Sequence, residues 1–148
     1  MILDDENILE DKNKDLIKNP FYIIHSLRDK ISDKEYENDI LNILNQIPLP
    51  DTNSDSKWYL HSDYIRLTIN GYRFLDINIS NHNNIIYLES CVFYDDIYNG
   101  NYFNIKMNDI DNYFKNLAEL YEGNFDKIDN YFDNYENKYT IFAIEFNF

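Results

Sequence analysis

The first apolar positions of the chain recur every three or four residues, which is the spacing of one face of an α-helix. They form two stripes: Phe21, Ile24, Leu27 and Ile31, and then Tyr36, Ile40, Ile43, Leu44 and Ile47. Asn19 and Pro20 favour a helix start before the first stripe, and Ser32 and Glu35 have capping-box spacing before the second. Two helices joined so closely are predicted to pack as an antiparallel pair. Residues 1–18, polar and acidic, are predicted to form a loosely packed helical arm.

After a polar and proline-containing loop at residues 48–56, the apolar positions alternate with a period of two, which predicts strands. Asn70 and Gly71 predict a hairpin between strands at residues 64–69 and 73–80. A strict two-residue turn would place Ile65 opposite Asp76 and mix apolar with polar positions. We therefore predict one extra residue, as a longer turn or a bulge, which pairs Ile65 with Ile77.

Three further segments also have strand patterns. Residues 85–94 are apolar on both faces, which predicts a central strand covered on both sides. Residues 102–105 are predicted as a short strand. At residues 139–148, Phe142, Ile144 and Phe146 alternate with smaller or polar residues, so the C-terminal segment is predicted to belong to the sheet.

Helical spacing returns between residues 108 and 136. Ile110, Leu117 and Leu120 define one predicted helix that ends near Gly123, and Phe125, Ile128, Phe132 and Tyr135 define a second. The predicted fold class is α+β: an N-terminal helix pair, a mostly antiparallel sheet of about five strands, and a C-terminal helix pair followed by a final strand. The length predicts one globular domain covering residues 1–148. The heptapeptide at residues 110–116 recurs with one change at 128–134, which we interpret as coincidence in an Asn-, Asp- and Tyr-rich chain.

Acidic residues dominate the charge, with 27 Asp plus Glu against 13 Lys plus Arg and a formal net charge of -14. Because 17% of the residues are aromatic, the chain can bury a core and hold this charge on a folded surface. Such a surface favours a basic protein partner and disfavours nucleic acid and anionic membranes. Cys91 is the only cysteine, which excludes an intramolecular disulfide and fits a reducing compartment. We find no secretion signal or membrane span in the sequence and expect a cytoplasmic protein.

The predicted second C-terminal helix carries the most distinctive charge pattern. Asp126, Asp129, Asp133 and Glu136 follow steps of three, four and three residues, so on a helix they would form an acidic ridge beside the apolar stripe. Like charges at these spacings destabilise a helix slightly, which favours a binding role over a stabilising one. The predicted partner-binding residues are this ridge together with Tyr131, Tyr135, Glu119 and Glu122. The alternative interpretation is a solvated helix face in an acidic protein.

Other chemistry has weaker support in the sequence. The segment from Asp76 to Ser80 begins like a calcium loop but lacks its later Gly and Glu, and the histidines lack zinc spacing with Cys91, so we predict no metal and no cofactor. His61, with Ser62 and Asp63 after it, is the one candidate for catalysis. Arg66 and Arg73 are expected to pair with carboxylates within the chain.

Size, acidity and the absence of a catalytic set together favour an inhibitor-type binding protein. The specific hypothesis is a bacterial immunity protein or antitoxin that neutralises a basic toxin such as a nuclease. One alternative is a viral or mobile-element nucleic-acid mimic that inhibits a host DNA-binding enzyme. Another is a small enzyme that uses His61 and nearby carboxylates.

Overall fold

The computed structural model describes residues 18–80, 83–93 and 102–148, and in these ranges the chain forms three α-helices and six strands. The helices are α1 (Pro20–Ser26), α2 (Glu37–Leu44) and α3 (Met107–Leu120). The strands are β1 (Ser56–Leu60), β2 (Tyr64–Ile69), β3 (Tyr72–Asn78), β4 (Ile85–Phe93), β5 (Asn124–Phe132) and β6 (Lys138–Asn147). All neighbouring strands are antiparallel, in the order β1-β2-β3-β4-β6-β5. The predicted α+β class is confirmed, with six strands instead of about five.

The three helices pack against one face of the sheet through aromatic and aliphatic side chains. Phe21 of α1 stacks on Phe146 of β6 at 4.3 Å between ring centroids, and Phe114 of α3 stacks on Phe142 of β6 at 5.0 Å. Buried aliphatic residues of α2 join the same core. No described helix covers the opposite face of the sheet, which we call the outer face. The prediction that residues 85–94 are covered on both sides is therefore wrong for the described part, because the outer-face residues of β4 are only half-buried.

The β2–β3 hairpin confirms the register predicted from the sequence. Ile65 pairs with Ile77, and the register shifts at a bulge after Leu67. The turn itself has two residues, Asn70 and Gly71, whose φ angles are 55° and 79°, as a two-residue hairpin turn of this type requires. The bulge supplies the extra residue, Phe74, and its side chain is fully buried.

The N-terminal helices are shorter than predicted. Asn19 accepts a hydrogen bond from the Phe21 backbone N–H at 3.0 Å, which confirms the predicted start of α1. The helix ends at Ser26, and short 3-10 turns at Arg28–Lys30 and Lys34–Tyr36 lead into α2. Asp33, rather than Ser32, provides the capping oxygen here, by accepting the Glu35 backbone N–H. The predicted arm at residues 1–18 falls almost wholly outside the described residues.

Two predictions in the C-terminal half are wrong. Residues 102–105 form an irregular segment in which Asn104 has φ 58° and Phe103 is buried against Phe74. The predicted helix at residues 124–136 is strand β5 and the turn that follows it. Phe125 and Lys127 alternate with more exposed neighbours, so this part of the sequence is also compatible with a strand. Pairing with β6 favours the strand over the helix.

Candidate functional site

Strand β5 is an edge strand, and this position changes the geometry of the predicted acidic ridge. It pairs with β6 on one side, and no described strand pairs with its other side. Its ladder shifts at a bulge between Ile128 and Tyr131, where Asn130 has φ 56°. Because successive side chains of a strand point to opposite faces, Asp126 and Asp129, three residues apart, do not share one face, and Asp133 and Glu136 lie beyond the end of the strand. The helical ridge therefore does not exist.

The eight predicted partner-binding residues lie in five places. Asp126 and Tyr131 lie on the outer face, and Asp129 lies near Lys127, with 3.5 Å between its Oδ1 and the Lys127 Nζ. Asp133, Tyr135 and Glu136 lie in the turn between β5 and β6. Glu119 is in the last turn of α3 and Glu122 is in the connection to β5. That these residues contact a partner stays a prediction.

Asp133 has a structural role in the turn. Its carboxylate accepts the backbone N–H groups of Tyr135 and Asn137, at 2.8 and 2.9 Å, and the Asn137 side-chain amide at 3.1 Å. Slight desolvation raises the pKa of Asp133, but these bonds and one from the Tyr139 side chain outweigh it, so the pKa lies below its usual value. Substitution of Asp133 would therefore disturb the hairpin as well as any interface.

The outer face brings together residues from β4, β6 and β5 that lie far apart in the sequence. Cross-strand pairing arranges them in four rows. The rows are Tyr87 with Glu145; Glu89, Ala143 and Asp126; Cys91, Ile141 and Ile128; and Phe93, Tyr139 and Tyr131. We call these residues the outer-face patch. Its first two rows form a carboxylate end, and its last two form an apolar and aromatic end.

The carboxylate end contains Glu89, Asp126 and Glu145 around one tyrosine. Burial raises the pKa of Tyr87, and the charges of these three carboxylates raise it further. In the described ranges neither Asp126 nor Glu145 forms an ion pair, and the Asp126 carboxylate accepts the backbone N–H of Lys127 at 2.9 Å. This end of the outer-face patch therefore carries negative charge that no lysine or arginine of the described ranges neutralises at Asp126 or Glu145.

The apolar and aromatic end has both exposed and supporting side chains. Tyr131 and Ile128 are 48% and 49% exposed. Half-buried Phe93 packs against Tyr139 with ring centroids 5.5 Å apart. Aromatic side chains that combine contact area with few rotatable bonds are enriched in the centres of protein interfaces. The sequence analysis did not include Phe93, Tyr139 or Ile141 among the candidate binding residues. The period-two pattern of β6 could have indicated Tyr139 and Ile141, because it places the odd-numbered residues of that strand on one face.

Beside the outer-face patch, the two sheet arginines are neutralised within the chain. Arg66 forms a bidentate pair with Asp76, with 2.9 Å from Nε to Oδ1 and 3.2 Å from Nη2 to Oδ2. Arg73 Nη2 lies 2.9 Å from Asp76 Oδ2 and 4.0 Å from Glu89 Oε1. The hydrogen bonds to Asp76 raise the pKa of Arg66, with burial opposing them. The predicted pairing of these arginines with carboxylates is confirmed.

The side chains around His61 and Cys91 do not favour catalysis by either residue. His61 stacks on Tyr64 at 4.4 Å and its Nδ1 accepts the Asp63 backbone N–H at 3.2 Å, at the rim of an open groove. In the described ranges no carboxylate is hydrogen-bonded to His61. Burial raises the pKa of the Cys91 thiol, and the nearby Glu89 charge raises it further, which disfavours the nucleophilic thiolate.

Among residues 18–80, 83–93 and 102–148, no group of three or more His, Cys, Asp or Glu side chains is arranged to hold a metal ion. The helices of the same ranges include none with the length and hydropathy to cross a membrane.

Comparison with known proteins adds no family. No protein-family model, curated protein or solved structure matches the chain.

Proposed function

We propose that the chain is an acidic inhibitor-type binding protein, of the immunity-protein or antitoxin kind, which binds a basic protein such as a nuclease through the outer-face patch. The observation that supports this most is that two carboxylates without an ion pair in the described ranges share one face of the sheet with the exposed Ile128 and Tyr131, and that no described element covers this face.

Electrostatics supports a basic partner. Asp126 and Glu145 form no ion pair with another described residue, and the whole chain carries a net charge of -14. Complementary charge accelerates association and fixes the orientation of two proteins. A nuclease needs a positive surface for nucleic-acid phosphates, so its substrate groove has the charge that this end of the patch would bind.

The apolar end supports a lasting complex. Long-range attraction alone gives fast association, whereas slow dissociation needs desolvated contacts near the interface centre. Tyr131, Ile128 and the supporting Tyr139 provide such contacts next to the carboxylates. Of the other sequence-predicted residues, Tyr135 and Glu136 lie in the turn after β5, where we expect them to form the rim of the interface. Asp129 instead lies beside Lys127, which points toward α3.

The test is a matched pair of charge-reversal variants. One variant combines Asp126→Lys with Glu145→Lys, and the control combines Asp29→Lys with Asp39→Lys, two exposed positions near the N-terminal helices. Both variants change the net charge equally. The probe is a basic protein captured by the wild-type chain and then purified, with the product of any neighbouring toxin-like gene as the first candidate.

The expected result is a loss of affinity of at least about tenfold for the patch variant and a much smaller loss for the control, since charge complementarity acts locally. Surface plasmon resonance measures the affinity, and a nuclease assay with purified probe measures inhibition. Equal weakening by the two variants would show that only total charge matters and would refute the patch as the contact. Binding that leaves the probe fully active would refute an inhibitory function.

A further inference from the structure

Strand β1 forms the opposite edge of the sheet, and its hydrogen-bonding groups are arranged for pairing. The Asn70 N–H donates to the Asp55 carbonyl at 2.7 Å, and the His61 N–H donates to the Tyr64 carbonyl at 3.0 Å. In an antiparallel ladder the bonded residues alternate, so Ser56, Trp58 and Leu60 direct their N–H and C=O groups away from β2. Within the described ranges no strand pairs with this edge.

The two edges of the sheet differ in how they resist strand addition. Strand β5 has a bulge, the left-handed residue Asn130, and a lysine, Lys127, that points inward to Asp111. These are recognised devices that prevent edge-to-edge pairing. Strand β1 has no bulge, because all of its residues, Ser56–Leu60, pair with β2 in continuous register, and its one lysine, Lys57, is exposed rather than directed into the core.

The side chains of β1 are unusual for this acidic chain. The strand contains Lys57 and no carboxylate. Trp58, the only tryptophan, is half-buried and lines an open groove of about 630 Å³ between β1 and α2. Ile31 and Leu41 contribute to its apolar lining. The edge thus combines outward backbone groups and a strand without carboxylates with a groove that is lined by apolar side chains and also by Asp33 and Glu37.

We infer that β1 pairs antiparallel with β1 of a second copy of this chain, which gives a two-fold symmetric dimer with a continuous sheet. This inference is independent of the proposed function, which uses the other end of the sheet. A register centred on Trp58 pairs all the strand residues and uses the outward groups of both copies. It also places Lys57 opposite Tyr59 of the second copy, twice by symmetry.

The charge of β1 itself permits a second copy at this edge. Two chains of net charge -14 repel each other, and they approach at less cost along a strand that has no carboxylate. Lys57 already lies over the Tyr59 ring of its own strand at 4.9 Å, and the same cation–π contact across the dimer is attractive. The groove beside β1 has room for the Trp58 indole of the second copy.

A proline substitution tests the backbone pairing directly. Leu60→Pro removes an outward N–H without removing a β1–β2 hydrogen bond, and Leu60→Ala is the matched control because it shortens the same side chain and keeps that N–H. Sedimentation velocity over a concentration series measures the dimer dissociation constant. Fluorescence of Trp58 reports burial of the same edge, and circular dichroism verifies that each variant is folded.

We expect a wild-type dimer whose dissociation constant falls with added salt, since salt screens the repulsion between copies. Leu60→Pro should raise that constant by at least about tenfold relative to Leu60→Ala, because the symmetry removes two backbone hydrogen bonds. Lys57→Glu keeps the backbone intact and should also weaken the dimer. The control Lys106→Glu makes the same charge change at the residue before α3, away from β1, and should not weaken it. A monomer at all concentrations, or a dimer equally unaffected by Leu60→Pro and Lys57→Glu, would overturn the inference.

Discussion

The Lys127 Nζ lies 3.2 Å from the Asp111 Oδ1 and connects edge strand β5 to helix α3. Lys115, one turn further along α3, lies 2.8 Å from the other carboxylate oxygen of Asp111. Asp111 is buried, so its charge depends on these two partners. The pair anchors the outermost strand of the sheet to the helical layer, and it holds β5 in the position from which the outer-face patch is built.

Substitution of Lys127 should therefore destabilise the fold. Lys127→Met leaves a buried carboxylate with one partner and removes an ammonium that lies 5.7 Å from the Phe142 ring centroid. We expect the free energy of unfolding to fall by about 1–3 kcal/mol. Lys115→Met, at a more exposed position, should cost less than about 1 kcal/mol. Urea denaturation measures both, and equal losses would contradict the central role of Lys127.

Acid should remove the contribution of Asp111. Burial raises its pKa, but the hydrogen bonds and charges of Lys115 and Lys127 outweigh burial, so the pKa lies below its usual value. A carboxylate with a lowered folded-state pKa stabilises the fold above its unfolded pKa, about 3.9, and loses this contribution as the pH falls through the folded value. The stability difference between wild type and Asp111→Asn should thus be largest near neutral pH and shrink below about pH 4.

Urea denaturation over a pH series measures this dependence. Glu119→Gln, at an exposed position on the same helix, is the control and should change stability little at any pH. An Asp111→Asn difference that stays constant down to about pH 2 would show that the carboxylate charge does not stabilise the fold.

Gly123 should tolerate no side chain, because β6 lies directly against it. A Cβ at this position would lie 2.5 Å from the Ile144 Cγ2 and 2.6 Å from the Phe146 Cε1. Gly123→Ala should lower the free energy of unfolding by about 1–3 kcal/mol through overpacking. Gly71→Ala meets no atom within 4 Å but has φ +79°, so it tests backbone strain alone.

For Gly71→Ala we expect a cost of about 1–2 kcal/mol. Thermal denaturation compares the two variants. A Gly123→Ala protein as stable as wild type would mean that the α3–β5 connection can move away from β6.

The Ser90 hydroxyl should stabilise the β-bulge. Ser90 is fully buried and donates a hydrogen bond to the carbonyl of Phe74, the residue that the bulge leaves outside the ladder. Ser90→Ala removes this buried hydrogen bond and should cost about 1–2 kcal/mol. Ser26→Ala, which removes an exposed hydroxyl bonded to the Tyr22 carbonyl, is the control and should cost under about 0.5 kcal/mol. Equal costs in chemical denaturation would show that the buried bond is dispensable.

Each strand that could be predicted from the sequence has a clear local pattern, either a turn motif beside it or a period-two alternation of apolar residues. In the β2–β3 hairpin, Asn70 and Gly71 specify the turn, and the alternation of Ile65 with polar neighbours permits one register only. The Phe142, Ile144 and Phe146 alternation likewise predicted β6, and all three are buried. In these segments, local chemistry and tertiary packing favour the same structure.

The repeated heptapeptide shows where local information fails. At residues 110–116 the segment is helical, and Ile110 is fully buried beneath it. At residues 128–134 nearly the same letters form an edge strand and turn, and Ile128 is 49% exposed. Asn112 has helical neighbours, whereas the corresponding Asn130 has φ 56° in a bulge. A pattern that satisfies both periods cannot select between helix and strand.

By itself the sequence determined the α+β class, the strand alternation, the hairpin register and the excess of carboxylates. The tertiary structure alone decided that residues 124–132 form a strand, because the unpaired edge of β6 and the buried Asp111 offer β5 backbone and ionic partners that no local signal encodes. That choice replaced a helical ridge with the outer-face patch, in which Asp126 and Tyr131 join residues of β4 and β6. Cross-strand neighbours are distant in sequence, so their chemistry appears only when the sheet is assembled.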